Sequence, residues 1–249
     1  QEVSSEVFLE VKNQAATIAK NLGLPAPVKH QGFQFSVGPE FSAKPVPMEA
    51  VGYQSFAKDG EIDTLFLCER NKVIITIRSY VSWDETKQLI ESISKPLVDI
   101  YLNSAPALRS ISVQYVNEFH SVANAPTKTD EMFQPSSKWL PDFCRDINEN
   151  WHTHGGVFKP NGDSRFLINV NLDVKTGENL ESGQQFTGLH NLILVRLGYD
   201  VPGQPPLVIE LNNSWEVIEK HLDDVHAIEK QTLSEIFADE YLEKMGAFK

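Results

Sequence analysis

The chain has 249 residues, 41% of them hydrophobic and 22% charged, with a formal net charge of −12, a composition expected of a soluble globular protein that buries its core without disulfide staples. A surface this acidic repels phosphate backbones and disfavours general nucleic-acid binding. No apolar run nears the roughly 18 residues needed to cross a bilayer, and the two separated cysteines, Cys68 and Cys144, offer no CxxC pair for a thiolate zinc site and suit a reducing compartment.

Residues 4 to 22 read as a helix, with Val7, Phe8, Val11, Ala15, Ile18 and Leu22 near helical spacing and Gly23 as its stop. A Pro-rich passage, Leu24 to Val28, leads to a short strand from Phe33 to Val37. The segment Gly38 to Pro47, with three prolines, is expected to be a loop. Three strands follow, Val51 to Lys58, Ile62 to Glu69 and Val73 to Tyr80. Asp59-Gly60 and the polar run Glu69 to Lys72 separate them, so antiparallel hairpins are expected.

Ser82 with Glu85 three residues on makes a capping box. The helix it opens runs to about Asn103 on a stripe of Leu89, Ile93, Leu97 and Ile100, and Pro96 inside it predicts a kink near Ser92. The run Arg109 to Phe119 alternates, with Ile111, Val113, Tyr115 and Asn117 on one side and Ser112, Gln114 and Glu118 on the other. That is a half-buried strand, expected at the centre of the core and closing the first half, with Asn117 buried and hydrogen-bonded.

Residues 120 to 141 are polar, carry three prolines and read as a connection, beside which Phe133, Trp139 and Phe143 tuck into the core or contact a partner. The second half repeats the style of the first. Strands are expected at Asn148 to Phe158 and Ser164 to Asp173 around the turn Pro160-Asn-Gly-Asp163, then a polar loop from Lys175 to Gly183, strands near 187–199 and 206–211, and a helix from Asn213 to about Met245. Tyr80-Val-Ser-Trp-Asp84 before the first long helix parallels Asn212-Asn-Ser-Trp-Glu216 before the last, which suggests a duplicated unit; Ser capping and first-turn acids explain the same match without duplication. The fold class expected is α+β, antiparallel sheet with helices on one face. The domain expected is a single compact unit over 1–249, with possible halves 24–119 and 142–249 joined by the connection 120–141.

Four segments carry a resemblance: Gly52 to Gly60, Val73 to Tyr80 with Trp83, Arg109 to Phe119, and His226 to Met245-Gly246 with Phe237. Together they resemble a sporadically distributed bacterial family of about this length that has a serial label and no assigned function. Gln114 stands where that family usually has Arg before Tyr. The resemblance implies a full-length, single-unit cytoplasmic bacterial protein, with a place in a mobile or defence gene cluster as one expectation, and supplies no catalytic residues.

The chemistry-bearing candidates are few. In Trp151-His-Thr-His-Gly-Gly156, His152 and His154 share one strand face, as two imidazoles converging on a transition metal would. Asp173, Glu210, His190 and His120 are candidate third ligands, and the plainer reading is an exposed strand beside a Gly-Gly pair. Arg165, Asn169 and Asn171, with Asp173 on the same strand and Arg196 on another, form a polar sheet face that could line a ligand groove or pair charges across strands. On the last helix His221 lies near the apolar stripe and reads as a packing residue. Nucleotide-binding, nucleophile-elbow and kinase motifs are absent. The expected function is therefore a non-enzymatic module binding a protein partner or a small ligand, needing no cofactor; the alternative is a metal-dependent enzyme centred on His152 and His154.

Overall fold

The computed structural model describes residues 2–28, 31–36, 42–47, 49–123, 129–145, 150–178, 185–199 and 206–245. The fold is α+β with antiparallel sheets, as expected, and it divides into two compact units. One comprises Gln1–Ala107 with Ile209–Trp215, the other Leu108–Val208 with Glu216–Lys249. Along the chain the division falls after residues 107, 208 and 215.

In the first unit, α1 (Ser5–Leu22) begins where the Ser4 hydroxyl accepts the Val7 amide at 3.3 Å and ends at Gly23, whose φ of 66° suits a residue without Cβ. After β1 (Ala26–Pro27), β2 (Gln31–Ser36) and β3 (Ser42–Pro47) pair with each other alone. The second of these corrects the expected loop: both strands of a two-stranded ribbon are edges, where Pro45 and Pro47 cost few ladder bonds. Residues 38–41 of that loop lie outside the described residues.

The strands β4 (Ala50–Phe56), β5 (Ile62–Glu69) and β6 (Lys72–Ile77) form a meander with β1 added at its first edge. Register places Tyr53 and Ile75 beside Phe66, and Val51 and Val73 beside Cys68. That face packs on Phe8, Val11 and Ala15 of α1 and on Ile93 and Leu97 of α2 (Trp83–Ser104). The Ser82 hydroxyl accepts the Glu85 amide at 3.3 Å, as the capping box predicts, and α2 continues through Pro96 as one helix.

The two-residue strand β7 (Ala107–Leu108) is followed by β8 (Ser110–Ala123), the long alternating run. It is not a central strand closing the first half. It is an edge strand of the second sheet, paired along its length with β11 (Gln185–Gly198) in the order β8-β11-β10-β9. Alternation fixes which face a side chain takes but not which strand lies alongside.

The intervening strands are β9 (Trp151–Asn161) and β10 (Ser164–Glu178), a hairpin closed by Gly162, at φ 57°, and Asp163. The expected loop from Lys175 is therefore strand as far as Glu178; its remainder lies outside the described residues, as do 146–149 and 124–128. Of the expected 206–211 strand only β12 (Leu207–Val208) forms, before a 3-10 turn at Leu211–Asn213. Each half is thus a three-stranded meander followed by a helix, with its fourth strand added at opposite ends, beside the first meander strand in one and the last in the other.

The inward face of the second sheet carries Phe166, Ile168, Val170 and Leu172 from β10 and Leu189, Ile193, Val195 and Leu197 from β11. Against it pack Met132 and Phe133, at and beside α3 (Thr129–Met132), Cys144 of α4 (Asp142–Arg145), and α5 (Ser214–Ile236) with α6 (Asp239–Met245). The last two replace one expected helix to Met245. The break comes at Phe237, which forms a β-bridge with Phe133, while the Gln134 and Ala238 amides donate to Ile236 and Met132 carbonyls at 2.9 and 3.0 Å. These cross-chain bonds satisfy backbone groups that a continuous helix would have paired internally. Phe133 and Trp139 are core residues and Phe143 is exposed. No helix among the described residues is long and apolar enough to cross a membrane.

Candidate functional site

The second sheet has one face covered by helices and one open to solvent. The hairpin turn at Gly162 and Asp163 sets the β9–β10 register, and the two remaining pairings extend it across four strands. The result on the open face is a set of straight rows. In the first, His152, Asp173, His190 and Glu118 stand on β9, β10, β11 and β8 as successive cross-strand partners. His152 Nδ1 donates to one Asp173 carboxylate oxygen at 2.7 Å, and His190 Nδ1 lies 3.7 Å from the other. Asp173 therefore carries one imidazole on each side, and its carboxylate fixes the proton of His152 on Nδ1.

The next row holds His154, Asn171, Leu192 and Val116, and the third Gly156, Asn169, Leu194 and Gln114. The fourth holds Phe158, Leu167, Arg196 and Ser112, and Arg165 follows in the fifth opposite Pro160 and Gly198. The Arg165 guanidinium lies over the Phe158 ring at 4.6 Å, a cation–π contact. The face thus has acids and histidines at one end, arginines at the other, and Leu192, Leu194, Leu167 and Val116 between. Val116 is 52% exposed and Phe158 57%.

All six residues singled out from sequence, Arg165, Asn169, Asn171, Arg196, His152 and His154, occupy this one face. The two histidines do not converge. His152 is held by Asp173, and His154 stands a row away, opposite Asn171. Among the described residues no three of His, Cys, Asp and Glu are grouped to hold a metal ion. Of the third-ligand candidates, Asp173 and His190 stand in the His152 row, Glu210 belongs to the other unit, and the side chain of His120 lies outside the described residues.

Two hollows indent the face. One, about 10 Å³ among Phe158, Arg165, Leu167 and Arg196, has room for little more than a water. The other is an open groove of about 410 Å³ lined by Glu118, Asp173, Lys175, Phe186 and His190, with Gly188 leaving its floor without a side chain.

Beneath the sheet lies a polar cluster that sequence reasoning caught only at Asn117. Asn117 Nδ2 donates to Asn191 Oδ1 at 3.3 Å, and Asn191 Nδ2 to the Asn171 carbonyl at 3.3 Å. Nearby, the Tyr115 hydroxyl meets His226 Nδ1 at 2.7 Å, and Glu229 stands one helical turn on, 3.8 Å from the same nitrogen. Burial pushes the Glu229 carboxyl up to about 7, and burial followed by the charge of Lys230 brings His226 down to about 4. The i, i+3 spacing of His226 and Glu229 was the available signal. His221 bonds through Nε2 to the Tyr199 hydroxyl at 2.7 Å, the packing role its sequence position suggested.

No family model, curated protein or solved structure matches the chain.

Proposed function

We propose that this chain is a protein-binding module, without catalysis of its own, that docks its partner on the open face of the second sheet. One observation carries the reading: exposed Val116 and half-buried Leu192, Leu194 and Leu167 form an aliphatic strip between an end with Glu118 and Asp173 and an end with Arg165 and Arg196. At about 4.8 Å between strands and 3.4 Å per residue, the five rows cover roughly 400 Å². An apolar strip enclosed by a polar rim is the layout of a contact surface. The partner this favours presents a cationic group to Glu118 and Asp173, a carboxylate to Arg165 and Arg196, and apolar side chains between them.

A flat, open face with shallow hollows suits a protein better than a small molecule, whose sites are enclosed. The test is capture by the native chain compared with Leu194→Glu and, as a control off this face, Lys12→Glu. One stoichiometric protein held by the native chain and the control, lost with L194E, and protecting β8 to β11 amides from exchange supports the reading. Capture unaffected by L194E overturns it.

A further inference from the structure

We infer that the partner which fits this face is a second copy of the chain; the inference rests on the protein-binding reading and names its partner. A two-fold dimer needs one patch complementary to itself, and the order of charges along the strands supplies that. Asp173 and Arg165 stand eight residues apart on β10, both on the open face, roughly 27 Å at 3.4 Å per residue. Rotation by 180° about an axis lying in the interface and crossing the strands turns one open face onto another and reverses strand direction. The acidic row of each copy then meets the arginine row of the other.

In that arrangement Asp173 faces the partner's Arg165, and Glu118 comes within a diagonal step of the partner's Arg196. The third row, with Leu194, lies on itself, and Leu192 packs against the aliphatic stem of the partner's Arg196. Gly198 lowers the surface where His190 of the other copy rises. The opposite choice, an axis along the strands, sets the row with Asp173 and Glu118 on itself and the arginine end on the arginine end, so the charge pattern favours the first of the two dimers. The acidic whole molecule works against self-association, since two chains of −12 repel. The dimer is therefore of micromolar strength and tightens at moderate salt before high salt weakens the local pairs.

Sedimentation equilibrium of the full chain, taken up to about 200 μM and well above the affinity expected of so small an interface, is the experiment. The native chain gives a concentration-dependent dimer. Glu118→Lys and Arg196→Glu, both at the surface of the sheet, each weaken it about tenfold or more while circular dichroism stays native. An equimolar mixture of E118K and R196E forms a heterodimer more tightly than either forms a homodimer, because each lost contact is rebuilt in one direction. A monomer throughout the range overturns the inference but not the protein-binding reading, whose test is loss of a different captured protein with L194E. A dimer indifferent to E118K and R196E, or no recovery on mixing, also overturns it.

Discussion

The Tyr115 hydroxyl on β8 and the His226 ring on α5 meet at 2.7 Å, joining an edge strand to the helix packed beneath it. His226 is held neutral there, so one hydrogen is shared between the phenol oxygen and Nδ1. Tyr115→Phe keeps the ring and removes the hydroxyl. The expected cost is about 1–3 kcal/mol, that of leaving a buried polar nitrogen without its bond. An unchanged urea midpoint would show that the contact carries no stability.

The same cluster gives the fold a pH response with two opposing parts. Below 6.5 the unfolded chain binds a proton on His226 that the folded one refuses down to about 4, so acid destabilises across that window. Above 4.5 the unfolded chain releases a proton from Glu229 that the folded one keeps up to about 7, so base destabilises across that window. Between 4.5 and 6.5 the slopes oppose. Glu229→Gln removes the second alone. From pH 5 to pH 6.5 its stability relative to the native chain should rise by about 2 kcal/mol, at 1.36 kcal/mol per pH unit. A difference that stays constant over that range would mean Glu229 is already ionised at pH 5.

Both cysteines are free and buried, and burial pushes the Cys68 thiol up to about 12. A thiol is a poor nucleophile at such a value. A thiol-reactive dye should label neither residue in the native protein and both in urea. Native labelling at Cys68 would mean that the β5 face opens far more readily than its packing against α1 and α2 implies.

Gly52 on β4 lies where an added Cβ would come within 2.6 Å of the Phe66 carbonyl oxygen and 2.9 Å of a Leu67 methyl. Gly52→Ala should therefore destabilise by about 1–3 kcal/mol, the range for overpacking. Gly60, with nothing near its Cβ position but a φ of 87°, should cost about 1 kcal/mol on the same change, for backbone reasons alone. Thermal melts of the two variants separate the mechanisms, and equal losses would contradict the packing account.

Much of the candidate face was legible in the sequence because period two is a local property. Alternation put Arg165, Asn169, Asn171 and Asp173 on one side of β10 before any partner was known. Counting back from the turn at Gly162 and Asp163 gives His152 opposite Asp173, so that pair was readable too. Glu118 and His190 were not, because no short turn like the one at Gly162 and Asp163 ties β10 to β11, and the long span between β8 and β11 leaves register free. The helix break at Phe237 was invisible for a related reason. Its cause is a bridge to Phe133, a hundred residues earlier, while the local apolar spacing continues undisturbed into α6.

The position of β8 also sets an order of events. It is the first strand of its sheet in sequence, yet among the described residues its neighbour there is β11, the last. The hairpins β9–β10 and β10–β11 close short loops, whereas β8 must wait until the whole meander exists, and contacts of such sequence separation form slowly. Until then β11 is a bare edge lined with Leu189, Ile193 and Val195, the kind of strand that recruits a neighbour from another chain. Refolding yield should fall as protein concentration rises, and synthesis that delivers β8 ahead of its partner keeps the completing strand on the same chain.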